Sequence, residues 1–219
     1  MNVVILGGTK GLGSSISKIY QKLDWDIYIL GSSTSNRKTG KITYINCDLN
    51  DINSVHTATQ KLINIKIDHF YWVSGVMIKG NFSTSSLNEL NKGIDVNFKN
   101  PLPLLQTVWN SLQKNRDESK FITISSTAGL RPKKEESIYV ATKFAQVGFI
   151  KSLAAENQNP NLKISLIEPG GMKTSFWNSC DNIDISSFMD SDKVALKIYE
   201  FILTQQTLFS ELEIPRGSL

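Results

Sequence analysis

Asn2-Val3-Val4-Ile5-Leu6-Gly7-Gly8-Thr9-Lys10-Gly11-Leu12-Gly13 is the stretch whose reading decides the fold. Its first five residues are a run rich in Val and Ile that stops at a glycine pair, the pattern of a strand buried on both faces that meets a turn. Leu12, Ile16, Ile19, Tyr20 and Leu23 then recur at helical spacing, so the unit is strand, glycine-rich turn, helix. Glycines without a Cβ let backbone N–H groups approach an anion closely, and the positive end of the helix dipole points at the same spot. In that setting the turn predicts dinucleotide binding through Gly7, Thr9, Lys10, Gly11, Leu12 and Gly13. The competing reading is a glycine-rich turn without a ligand.

Outward from this unit the alternation repeats. Residues 26–30, 41–46, 69–73, 120–125, 163–167 and 208–214 read as further strands. Helical stretches follow the Asp51 cap, cover 88–97, begin at Pro101 and Pro103, run through Tyr139, and cover 192–204. Apolar residues of the Asp51 helix are Val55, Leu62 and Ile63; those of the Tyr139 helix include Phe144, Val147 and Ile150. Such alternation predicts an α/β fold, a Rossmann-like doubly wound parallel sheet of about seven strands with helices on both faces, in one domain over 1–219. Ligands of these sheets bind beyond the carboxyl ends of the strands. Residues 172–189 form the one long irregular segment, a candidate binding loop.

Composition narrows the function classes. The chain is 40% hydrophobic and 20% charged, and its net +4 comes from 24 basic and 20 acidic residues scattered along it. A nucleic-acid partner needs a clustered basic face, and a membrane span needs about 18–20 apolar residues in a row, so neither partner is expected. The first strand begins almost at Met1, from which we expect no leader and a cytoplasmic location. Cys47 and Cys180 are too few for a disulfide framework or zinc site and read as reduced thiols. His56 and His69 stand alone and are assigned to the surface or a loop edge, so no metal site is expected. The terminal Pro-Arg-Gly-Ser-Leu resembles part of a protease-site linker and receives no function.

Four strand ends carry candidate ligand contacts. After the second strand comes Gly31-Ser32-Ser33-Thr34-Ser35-Asn36-Arg37-Lys38, with no acidic residue to hold a ribose 2′-hydroxyl. Ser32, Ser33 and Arg37, with Lys10, are instead donors for a 2′-phosphate, which favours NADP(H) over NAD(H); a solvated polar loop is the competing reading. Asp48 and Leu49 end the third strand, Asp48 as acceptor for an adenine amino group, and Gly75 closes the fourth. Ser126 follows the fifth strand, thirteen residues before Tyr139, and Tyr139 and Lys143 lie four apart on one helix face. An ammonium beside a phenol favours the phenolate and is expected to pull Tyr139 toward the working range of an acid–base catalyst. Arg131, Lys133 and Lys134 in the intervening loop suit an acidic substrate, although a solvated charged loop is the preferred reading.

Taken in order, these motifs resemble the short-chain dehydrogenase/reductase family, classical type, over essentially the whole chain. The resemblance places Gly7, Gly11 and Gly13 in the family's cofactor loop, Asp48 at its adenine contact, and Ser126, Tyr139 and Lys143 at its catalytic positions. It also assigns Asn97, in Asp95-Val96-Asn97-Phe98, as the catalytic asparagine, anchoring a water that relays protons to Lys143. Glu168-Pro169-Gly170-Gly171-Met172-Lys173-Thr174 resembles the segment that closes over the nicotinamide, with Pro169 and Gly170 lining it and Thr174 near the carboxamide. Two positions depart from the family pattern: Leu6 where Thr is usual, and Trp72-Val73-Ser74-Gly75 where Asn-Asn-Ala-Gly is common.

The resemblance implies hydride transfer between nicotinamide and a carbonyl or secondary alcohol. Tyr139 would exchange the proton, Ser126 would hydrogen-bond the substrate oxygen, and Lys143 would hold the nicotinamide ribose. A non-catalytic NADP-binding sensor or scaffold is the rival, disfavoured because a sensor has no need of the trio. Residues 101–116 and 137–157 resemble the family's dimerising helices, so a homodimer or homotetramer is expected.

Overall fold

The computed structural model describes residues 1–180 and 183–219. Its elements are, in order, β1 (Asn2–Leu6), α1 (Gly11–Lys22), β2 (Asp26–Gly31), β3 (Arg37–Thr39), β4 (Ile42–Asn46), α2 (Ile52–Gln60) and β5 (His69–Trp72). There follow α3 (Leu87–Ile94), a π-helical turn (Asp95–Lys99), α4 (Leu102–Leu112), β6 (Ser119–Ile124), α5 (Ser137–Glu156), β7 (Leu162–Pro169), α6 (Ser191–Thr204) and β8 (Phe209–Ile214). The strands form one sheet in the order β3-β4-β2-β1-β5-β6-β7-β8, parallel except for β3.

Both faces of the sheet are covered, which is why the central strands are apolar without alternation. Successive side chains of β1 point to opposite faces: Val4 and Leu6 enter the core under α2, α4 and α5, and Val3 and Ile5 enter the one under α1 and α6. Trp72, Tyr20, Tyr71, Phe70 and Phe121 are the largest fully buried side chains. Each fully buried aliphatic side chain contributes ~1.5–3 kcal/mol over an exposed one, so these two layers supply most of the drive to fold.

Three sequence expectations change. The sheet has eight strands rather than about seven, because Arg37-Lys38-Thr39 turns back at Gly40 to pair antiparallel with β4, Arg37 stacking 4.3 Å over the Tyr44 ring. Three polar residues carry no apolar period, so nothing local announced a strand. His69 is buried in β5, not at a surface: it shares a 2.5 Å hydrogen bond with Tyr20, packs against Trp25, and is held neutral by burial, its pKa lowered to about 3. Ile63 and Phe144 are exposed, since α2 ends at Gln60 and Phe144 lies on the outer side of α5. The terminal segment is packed as well, with the Arg216 guanidinium 4.1 Å over the Phe188 ring.

The chain leaves β1 toward β2 and β4, then returns to β5 and continues to β8. The sheet therefore reverses its winding between β1 and β5, and the crevice outside their carboxyl ends is where such folds bind ligands.

Candidate active site

At that crevice Gly7 has φ +93°, and a Cβ on it would stand 2.6 Å from the Ser74 backbone nitrogen. A Cβ on Gly13 would stand 2.2 Å from the Gly7 carbonyl oxygen. Glycine is thus required by sheet and turn geometry alone, and it leaves the loop backbone bare toward the cleft. The hydroxyl missing at Leu6 is offset by main-chain bonds: Gly7 N–H donates to Leu30 O at 2.8 Å, and Val73 and Ser74 N–H donate to Leu6 O at 2.9 and 3.0 Å. The α1 N-terminus has no side-chain cap, so its first-turn N–H groups face the cleft unclaimed by a side chain. Those features fit a dinucleotide diphosphate.

The cleft is about 640 Å³. It is lined at one end by Gly7, Thr9, Lys10, Gly11, Leu12 and Gly13, with Ser32, Asp48 and Leu49 behind them. Gly75, Ser126, Tyr139 and Lys143 line the other end, and Pro169, Gly170 and Thr174 complete the lining, Thr174 lying 3.2 Å from where a Cβ on Gly11 would stand. Ser33 and Arg37 do not line it. Ser33 Oγ donates to Thr9 Oγ1 at 3.0 Å, and Arg37 is engaged with Tyr44. Asn97 is fully buried behind Gly75, where a Cβ on Gly75 would come 3.3 Å from Asn97 Oδ1 and 3.8 Å from Lys143 Nζ.

Three elements deliver the candidate catalytic groups. Ser126 follows β6 and caps a short 3-10 turn, its Oγ accepting from Ala128 N–H at 3.1 Å. That leaves the Ser126 proton free to be donated, and its hydrogen bond to the Tyr139 oxygen favours the phenolate. Tyr139 lies on α5 with Lys143 Nζ 5.7 Å from its ring centroid. The expected depression of the phenol is nevertheless reversed: burial pushes Tyr139 up, the Ser126 hydrogen bond opposes this, and the Glu136 charge adds to the rise. Burial also lowers Lys143 to about 7, which weakens near neutral pH the charge that was to act on Tyr139.

Asn97 sits in the π-helical turn and is locked by both ends of its amide: Oδ1 accepts from Val76 N–H at 2.7 Å, while Nδ2 donates to Val76 O at 3.0 Å and Thr142 Oγ1 at 3.1 Å. Its own carbonyl accepts from Gln146 Nε2 at 2.8 Å. Gln146, also fully buried, was not singled out in the sequence; its position three residues after Lys143 on the same helix face was the available signal. Also missed were Met77, Phe176 and Trp177, which wall the cleft next to Tyr139, Phe176 at 5.9 Å between ring centroids. Phe176 and Trp177 belong to a short 3-10 turn, Ser175–Ser179, capped by Thr174 Oγ1, which accepts from Phe176 N–H at 3.4 Å. Of the loop charges read as solvated, Lys134 is exposed outside the cleft as expected, whereas Lys133 lines it.

Among the described residues, no group of three or more His, Cys, Asp or Glu is arranged to hold a metal ion, and no helix is long and apolar enough to cross a membrane.

A family model described as short chain dehydrogenase matches residues 1–182, and the chain belongs to that family. An uncharacterized oxidoreductase of Schizosaccharomyces pombe is 26% identical over 186 residues, 81% of this chain and 62% of the relative. A 3-ketodihydrosphingosine reductase of Bacteroides thetaiotaomicron is 26% identical over 208 residues, 90% of this chain and 75% of the relative. The chain thus spans roughly two thirds of the length of these relatives. Among solved structures, a short-chain dehydrogenase/reductase from Vibrio parahaemolyticus superposes with a TM-score of 0.81 at 26% identity, covering 99% of this chain and 97% of that one. An alcohol dehydrogenase from Thermococcus sibiricus, complexed with 5-hydroxy-NADP, superposes with a TM-score of 0.85 at 18% identity over 100% and 97% of the two chains, a likeness of fold.

Proposed function

We propose that the chain is a single-domain NADP(H)-dependent oxidoreductase that interconverts a carbonyl and a secondary alcohol, with Tyr139 as general acid and base. The observation that carries this reading is the convergence of Ser126, Tyr139 and Lys143 on the cleft whose other end is the glycine cradle. When bound, the nicotinamide supplies or accepts the hydride.

The chain's own residues supply the rest. In the reducing direction Tyr139 gives its proton to the developing alkoxide, which is the stronger base; burial keeps the phenol protonated until then, so that the donor is loaded at neutral pH. Ser126, with one lone pair already held by Ala128 N–H, directs its proton to the same oxygen. Lys143, in its charged form, holds the nicotinamide ribose and adds positive potential. Asn97 fixes the floor beneath Gly75. Met77, Phe176 and Trp177 exclude water from the reacting carbon, which strengthens each of these electrostatic contributions.

Support for NADP comes from the missing carboxylate after β2 and from Lys10 and Ser32 at that end of the cleft. Arg37 would contribute only by leaving Tyr44. NADPH and NADH oxidation against a panel of ketones and aldehydes, with titration of both cofactors, tests the reading. Turnover with NADPH preferred supports it; tight cofactor binding without turnover on any compound favours a sensor. We also propose that α4 and α5 pair across a two-fold axis to give a homodimer or homotetramer. A broad cavity on their outer side, lined by Trp109, Phe149 and Leu153, supports this. Sedimentation at micromolar concentration checks it, a monomer being the contrary result.

A further inference from the structure

Gln146 lies between two groups that were expected to be joined by water. Its Nε2 donates to the Asn97 carbonyl at 2.8 Å, and its Oε1 accepts from Lys143 Nζ at 2.9 Å. The assignment of the two amide ends is forced, because a carbonyl only accepts and an ammonium only donates. All three groups are buried, Gln146 and Asn97 completely. Asn97 is in turn fastened to Val76 and Thr142, so Gln146 hangs from a rigid anchor and presents its oxygen to Lys143 in one direction.

We propose that Gln146 is a positioning residue that sets both the orientation and the charge state of Lys143, replacing a proton-relaying water by a fixed amide acceptor. An acceptor held 2.9 Å from a buried amine favours its charged form. An amide does not pass protons on, so the Asn97 carbonyl is not a proton outlet for Lys143, which exchanges through the cleft instead. The groups facing the ammonium are few. From α5 there are Gln146 and the Tyr139 ring; from β6 the Ile124 carbonyl accepts at 3.4 Å; Gly75 adds only backbone. Tyr139 is the ionisable side chain among them. Burial lowers the Lys143 pKa to about 7, so in this setting one lost or strengthened neighbour moves the charge across neutral pH.

The catalytic consequence rests on the oxidoreductase reading, but the coupling itself is measured without substrate. The full chain carrying lysine labelled with carbon-13 at Cε is titrated by NMR, with Lys143→Arg used to assign the Lys143 signal. Gln146→Met keeps the volume and removes the acceptor, and the Lys143 midpoint should fall by about one pH unit or more. Gln146→Glu replaces the neutral acceptor by a carboxylate and should raise it by at least as much. A residue with a merely structural role lowers stability without opposite shifts of one amine. Midpoints unchanged in both variants overturn the proposal, as does an unchanged or raised midpoint in Gln146→Met if Gln146→Glu does not fold. Opposite shifts in a protein that shows no NADPH turnover leave the coupling intact and count against the oxidoreductase reading alone.

Discussion

Alanine at position 13 would place a methyl 2.2 Å from the Gly7 carbonyl oxygen, inside any tolerated contact, so the glycine loop must move to admit it. Gly13→Ala should cost ~1–3 kcal/mol of stability, as overpacking does, and weaken NADPH binding at least tenfold by displacing the loop N–H groups. Chemical denaturation and cofactor titration check the two effects. Gly13, Ser126, Tyr139 and Lys143 were legible in the sequence because their partners are either local in the chain or fixed by strand ends. Gln146 and His69 were not. Each takes its meaning from a group far away in sequence, the Asn97 backbone carbonyl for one and the Tyr20 hydroxyl for the other, and the spacing of Gln146 from Lys143 was the one local signal. The pull of Lys143 on Tyr139 was misjudged because spacing gives proximity, whereas burial of both groups decides the charge.

Elements reveal a similar division. Helices with apolar periods and caps, such as α2 behind Asp51, were readable; the bond from Asn53 N–H to Asp51 Oδ1 at 2.9 Å is the expected cap. Strand β3 was not readable, since it consists of charge and a hydroxyl and is held by pairing with β4. The π-helical turn was hidden too, because 88–97 reads as one continuous helix; the widened turn shows in Asn100 N–H donating to Asp95 O at 2.8 Å. The end of α4 depends on a residue 47 positions past it: Asn159 Nδ2 donates to Leu112 O at 2.9 Å and Asn115 O at 3.0 Å. Asn159→Ala strips two carbonyls of this partner at a buried site, which should cost ~2–4 kcal/mol. A fall of several degrees in Tm with cofactor affinity preserved is the expected outcome, and an unchanged Tm is the contrary one.

Across the whole molecule, the doubly wound order places every strand end named in the sequence on one rim, which is why a linear string of motifs becomes one cleft. The same packing makes stability depend on acid. His69 has a pKa lowered to about 3 by burial first and the Lys120 charge second, against a usual 6.5. Between those values the unfolded chain binds the extra proton, so His69's contribution is complete above about pH 6.5 and is lost as pH falls toward 3. The loss should approach ~5 kcal/mol, and a His69→Phe variant should show a flatter denaturation midpoint over that window.

The role of Tyr139 is tested most directly by Tyr139→Phe, with NADPH affinity and carbonyl-dependent NADPH oxidation measured on the same preparation. The ring packs between Met77, Ala128 and Phe176, and the substitution leaves that packing in place while removing the proton donor. Near-normal NADPH binding with turnover reduced by ~10²–10⁴-fold is the expected result. A Phe variant that turns over at the wild-type rate contradicts the assignment of Tyr139 as the acid and base of this site.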